Sequence, residues 1–213
     1  MPDGGNRTVV LDVVTVRVLA AIASFATVAG LVLIVRAERG HGRREFRADD
    51  SPPTALQALW AAMNLVPQMY TFLVAALPDV FYAGLPRFSF PGDSLAQLLG
   101  LLLWSVGGLL VIWSGRTLGR FMTIRIAVAS DHELVQSGPY SRIRHPTYAG
   151  AMFLTIGLTL LFLSGVLLAF SVVTVAIAHY RAFKEERLLA SPEGLGETYR
   201  AYMQRTGRFL PRP

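Results

Sequence analysis

The sequence predicts an all-α integral-membrane protein of about five transmembrane helices, the last two forming a C-terminal helical hairpin, with a cap on the cytoplasmic side. Three observations carry this. Of 213 residues, 53% are hydrophobic and 16% charged, whereas soluble domains carry about a quarter charged residues. The apolar residues fall in long uncharged runs, and the arginines cluster between alternate runs.

The elements follow in order. Val18–Val35, Ala55–Leu77 and Leu95–Gly115 contain no charged residue, and each is long enough to cross a hydrocarbon core roughly 30 Å thick. The chain opens Met1-Pro2-Asp3 without a basic run, and the first apolar run has no small-residue cleavage site. That run is therefore expected to stay in the membrane. A further apolar region, Pro146–Ala178, would span about 50 Å as one helix, so Ser164-Gly165 near its middle suggests a hairpin turn. Its second arm is expected to run on beyond the membrane through Tyr180–Leu189.

Charge sets the orientation. Arg36, Arg39, Arg43, Arg44 and Arg47 crowd the first loop, Arg87 alone marks the second, and Arg116, Arg120, Arg125, Arg142 and Arg144 fill the third. The hairpin turn has no charge, and basic residues return after Arg181. The positive-inside rule then puts the N-terminus outside and the C-terminus in the cytoplasm. A single long helix over Pro146–Ala178 would set Arg142–Arg144 and the basic tail on opposite sides, and is rejected. Residues 1–213 read as one membrane domain, with three helices in 1–115, then a region 116–213 that holds the hairpin 146–178. Within the cap, alternating Ile124, Ile126 and Val128 suggest a short strand.

Several functions are excluded. The net charge of +6 comes with no basic stripe and no nucleic-acid-binding module, so no nucleic-acid partner is expected. There are no cysteines, and His41, His132, His145 and His179 are dispersed, so no metal is expected. No Gly-x-Gly-x-x-Gly follows a strand and no Gly-x-Ser-x-Gly elbow is present.

The informative stretch is His132-Glu133-Leu134-Val135, then Gly138-Pro139-Tyr140, then Arg144-His145-Pro146-Thr147-Tyr148; after the apolar hairpin come Arg181-x-x-x-Glu185-Glu186, then Gly196, Tyr199, Tyr202 and Pro211. From Thr117 onward this resembles the isoprenylcysteine carboxyl methyltransferase family. A variant of the signature is seen in membrane phospholipid N-methyltransferases and methanethiol S-methyltransferases. Either half alone is weak; both, in order, across a hairpin of suitable length, are specific.

The resemblance implies that the cap binds S-adenosylmethionine. His132, Leu134, Val135, Gly138, Pro139, Tyr140, Arg144, His145, Tyr148, Glu185 and Glu186 are then the cofactor-binding set, with Arg144 and Glu186 the catalytic pair. The residue types suit such a ligand. Gly138-Pro139 makes a sharp turn, Pro146 opens a helix without losing a hydrogen bond, and tyrosine faces attract a sulfonium. A glutamate holds an ammonium and an arginine holds a carboxylate. The implied acceptor is lipophilic and reaches the site from the bilayer: an isoprenylcysteine-like or isoprenoid carboxylate, methylated on oxygen. Phospholipid nitrogen and a small thiol are the alternative acceptors. A non-catalytic scaffold or transporter, and a sterol-reductase-type enzyme, are the readings outside this chemistry.

Each residue also has a plainer reading. Arginine and histidine at a helix start are common interface anchors. Arg181 and Glu185, four apart, suit a surface ion pair. Tyr199 and Tyr202 suit packing, and His179 a structural role. On the second helix Gln57, Asn64, Gln68 and Thr71 share a narrow stripe that should face the bundle. They make either interhelical hydrogen bonds or the lining of an acceptor cavity. Gln57, Asn64 and Gln68, with Arg181, are therefore the candidate substrate-binding residues. Gly100, Gly107 and Gly108 on the third helix would let backbones approach, and Pro67 is expected to kink the second.

Overall fold

The computed structural model describes residues 12–39, 46–123 and 125–212. Its helices are α1 (Val13–Arg39), α2 (Thr54–Ala76), α3 (Asp93–Leu118), α4 (Pro146–Phe162), α5 (Gly165–Leu189) and α6 (Glu197–Arg205). Two short strands, β1 (Phe46–Asp49) and β2 (Ala127–Ala129), pair antiparallel. Asp93–Phe121, α2 and α5 are long and apolar enough to cross a membrane, whereas α4 and the apolar stretch Val13–Ala29 of α1 are shorter. Large apolar side chains on the flanks, such as Phe25, Leu95, Leu109 and Val172, are more than half exposed, as a lipid-facing surface requires.

The apolar region after Pro146 is a hairpin, as expected. Pro146 takes the first helical position of α4, where its missing N–H costs nothing. The turn, however, lies one residue earlier than Ser164-Gly165. Leu163 adopts the left-handed conformation (φ 50°), and Ser164 caps α5 by accepting from the Leu167 N–H at 3.4 Å. Leucine rarely takes this conformation; here the side chain is buried, and the preceding loop pairs with the turn through Phe88 N–H to Leu163 C=O at 2.9 Å. Thr159 and Ser171 hydroxyls join the two arms at 2.8 Å.

The closest packing in the bundle is between α3 and α4. A Cβ on Gly100 would lie 2.4 Å from Leu161 N, and one on Gly157 would lie 2.5 Å from Trp104 N. Added to Gly107 or Gly150, it would stand 2.8 Å from the other's carbonyl oxygen. Glycines seven residues apart on each helix thus meet in two places, and small residues of this kind are what lets membrane helices pack backbone to backbone. Gly108 does not belong to this set: a Cβ there meets only Leu154 Cδ2, at 3.8 Å.

The polar stripe of α2 divides. Gln68 accepts from Trp104 Nε1 at 3.2 Å and Thr71 pairs with the Ser24 hydroxyl at 2.9 Å, so these two bind helices together. Gln57 and Asn64 donate locally, to Pro52 and Trp60 carbonyls. The helix continues through Pro67. Of the expected strand, Ile124 lies outside the described residues, while Val128 is in β2; its partner β1, in what reads as a polar loop, has no signal in the sequence.

The α3/α4 contact gives a direct test. Gly157→Val should destabilise the detergent-extracted protein by about 1–3 kcal/mol or more, the range for overpacking. Gly108→Ala should leave the thermal midpoint unchanged. Equal tolerance of both substitutions would refute the contact.

Candidate functional site

The residues the sequence singled out converge at the cap end of the bundle. α3 ends at Leu118, the chain returns through β2 and the short helical turn Gly138–Ser141, and α4 begins at Pro146. α5 passes alongside, and α6 with the tail closes the far wall. Between them lies a cavity of about 120 Å³. His132, Leu134, Val135, Tyr140, Arg144, His145, Tyr148 and Glu185 all line it.

Gly138 and Pro139 do not. Gly138 has φ +55°, and a Cβ there would lie 2.8 Å from Thr117 Oγ1 and 3.1 Å from Trp113 Nε1. Its glycine is therefore required by the close approach to α3. Gln57, Asn64, Gln68 and Arg181 also stand outside the lining. Arg181 is no surface residue: it is 2% exposed, with its guanidinium 5.6 Å from the Trp60 ring and 5.9 Å from that of Tyr148.

The two glutamates occupy different environments. Glu185 reaches the cavity, accepts from the Tyr148 hydroxyl at 2.9 Å and keeps a side chain 34% exposed. Glu186 turns away, its side chain only 4% exposed. It accepts from Arg144 Nε at 2.8 Å, while Arg208 Nε lies 3.1 Å from both of its oxygens. His145 sits between the two, Nε2 3.3 Å from Glu186 and Nδ1 3.6 Å from Glu185, and its ring stacks on Tyr148 at 5.4 Å. Arg144 NH1 donates to the carbonyls of Met203 and Thr206. The cavity therefore presents one cation, Arg144, and one carboxylate, Glu185, beside the rings of Tyr140 and Tyr148.

Tyr199 and Tyr202, three apart on α6, are buried with ring centres 5.7 Å apart and also line the cavity. Tyr202 donates to the Tyr140 carbonyl at 2.5 Å. Burial raises the Tyr140 phenol above its ordinary range against the opposing bond from Thr147. Leu118, Met122, Leu189 and Leu195 complete the apolar lining. No periodicity marks them, since the ends of α3 and α5 and the loops that follow bring them together. Arg208 was missed for the same reason, its partner lying 22 residues away. Among the described residues no group of acidic and histidine side chains could hold a metal.

Residues 99–191 match the model of a family described as the isoprenylcysteine carboxyl methyltransferase (ICMT) family. Among solved structures, the chain is similar to that of a eukaryotic intramembrane Ras methyltransferase ICMT (isoprenylcysteine carboxyl methyltransferase), determined without a monobody. The two are 21% identical with a TM-score of 0.52 over 75% of this chain and 53% of that one, so the chain spans about half that protein's length. At this identity the likeness concerns the fold. No curated protein matches the chain.

The site carries one titration that can be followed. Burial and the Arg47 charge lower the His132 imidazole below its ordinary pKa, against the opposing pull of Glu185 and Asp131. A group whose pKa is depressed by folding contributes stability that is present above its unfolded value, about 6.5, and lost as pH falls through the folded value. Between pH 7.5 and 5.5 the wild-type thermal midpoint should therefore fall more than that of His132→Gln. Parallel curves would show that His132 is not held neutral.

Proposed function

We propose, for a chain whose residues 99–191 match the model of the isoprenylcysteine carboxyl methyltransferase family, that it transfers a methyl group from S-adenosylmethionine to the carboxylate of a lipophilic, isoprenylcysteine-like acceptor. The observation that carries this reading is the pairing of opposite charges in one aromatic cavity: Arg144 and Glu185 both line it, with Tyr140 and Tyr148 beside them.

The donor set fits the cofactor. Glu185 receives its ammonium in place of the Tyr148 hydroxyl, and Arg144 receives its carboxylate through NH2, which makes no hydrogen bond to any described residue. Each is a charge-assisted contact. The Tyr140 and Tyr148 faces suit a positive sulfonium, a contact worth about 0.5–2 kcal/mol when desolvated. His132, Leu134 and Val135 supply polar and apolar edges for the adenosine. Glu186, spent on two arginines, supports Arg144 from behind. When bound, S-adenosylmethionine supplies a methyl group that is already electrophilic. The protein's part is to hold the acceptor in line with it and keep water out.

A carboxylate acceptor is ionised at neutral pH and requires no base. Arg181, buried between Trp60 and Tyr148 on the membrane side of the cavity wall, is assigned to it, with Gln57 and Asn64 of α2 at the margin. Gln68 is committed to Trp104 and is left out of this assignment. We further infer five crossings, with the N-terminus outside and the cap cytoplasmic, from the arginine distribution. The family match favours a carboxylate over nitrogen or thiol acceptors.

Pure protein in detergent should bind S-adenosylhomocysteine by calorimetry, and Glu185→Gln should weaken that binding by about tenfold or more. Labelled S-adenosylmethionine should label a prenylcysteine as a base-labile methyl ester. An inert prenylcysteine beside a labelled phospholipid amine would overturn the acceptor; absence of binding would overturn the cofactor.

A further inference from the structure

Arg208 lies beyond the residues that match the family and does not line the cavity, yet it takes the larger share of the buried Glu186 carboxylate. Its Nε is 3.1 Å from both oxygens and its NH2 is 2.5 Å from Oε2. Arg144 is left a single contact, Nε to Oε1 at 2.8 Å. A guanidinium facing a carboxylate prefers the two-point fork. Oε2 already accepts from both Arg208 Nε and NH2, which fills its two lone pairs, so the second prong of that fork is closed to Arg144, and its NH2 stays uncommitted among the described residues.

The backbone holds Arg208 in place. Gly207 N–H donates to Arg142 C=O at 3.0 Å, Arg144 N–H to Gly207 C=O at 2.9 Å, and His145 N–H to Arg208 C=O at 3.0 Å. This short parallel pairing fixes the tail against the segment that carries Arg144. Phe209 closes it, packing on His145 and His179 with ring centres 6.1 and 4.7 Å apart. The bond to Glu186 is also the main reason that the Arg208 guanidinium is held more firmly protonated than usual, against the cost of burial.

We propose that Arg208 is a positioning residue: by occupying both oxygens of Glu186 it keeps Arg144 from folding back onto that carboxylate and so leaves Arg144 NH2 free for the carboxylate of the methyl donor. This rests on the cofactor reading above. Arg208 acts only through Arg144, and the two losses should not add.

The test is a double-variant cycle on the full chain in detergent, with S-adenosylhomocysteine binding as the readout. Arg208→Met should weaken binding about tenfold, and Arg208→Lys should recover part of it; Arg144→Met with Arg208→Met should bind no worse than Arg144→Met alone. KM for S-adenosylmethionine should rise in Arg208→Met while kcat at saturation stays within about twofold of wild type. A merely structural arginine would give additive losses and no such split. Should Arg208→Met not fold, Arg208→Gln enters the same cycle. Wild-type binding with additive losses, or with Arg208→Met indistinguishable from wild type, overturns the positioning role alone. A wild-type protein that binds no S-adenosylhomocysteine overturns the cofactor reading and this role with it.

Discussion

The cap depends on one buried carboxylate. Glu186 has a 4% exposed side chain, so its charge is tolerable only because protein groups replace the hydration it loses on burial. Arg144 comes from the segment before α4, Arg208 from the tail, and Glu186 itself from α5. Three parts of the chain are thereby fixed to one point. Breaking a buried pair of this kind leaves an uncompensated charge and costs about 3–5 kcal/mol. The same contacts leave Arg144 lining the cavity and Arg208 outside it.

That arrangement works only if α4 begins at the right height, and the glycine contacts set it. Gly100 and Gly107 meet Gly157 and Gly150 with no room for a side chain, so α4 cannot slide along α3. Gln97, donating to Leu161 C=O at 2.9 Å, adds a polar tie near the other end of the same interface. The start of α4, with Arg144, His145 and Tyr148, is thus held against α3, while α5 brings Glu185 and Glu186 back to the same level through a turn of minimal length. A hairpin with a longer turn would place the glutamates out of register with the arginine.

The architecture was legible in the sequence because its causes are local. Uncharged runs of membrane length mark α1, α2 and α3, and the excess length of Pro146–Ala178 requires a turn. The exact turn residue was misplaced because Leu163 takes a conformation that composition would assign to glycine. The site was legible where a motif holds residues close in sequence, as in Arg144-His145 and Glu185-Glu186. Order along the chain says nothing of which glutamate faces the cavity; that follows from helix rotation, which puts Glu185 beside Tyr148 and Glu186 behind Arg144. Gly138 shows the reverse error, a glycine whose reason is packing against Thr117 and Trp113. Arg208 becomes visible only when the tail is folded across the cap.

In the proposed mode of binding, the cap recognises the two ends of an amino acid, an ammonium at Glu185 and a carboxylate at Arg144. An experimental structure of the protein with S-adenosylhomocysteine tests it most directly. In that structure the ligand's ammonium should lie within hydrogen-bond distance of Glu185, displacing the Tyr148 hydroxyl, and its carboxylate on Arg144 NH2, with Glu186 still bonded to Arg144 and Arg208. Ligand bound with those ends reversed, or in contact with Glu186 in place of Glu185, would contradict it.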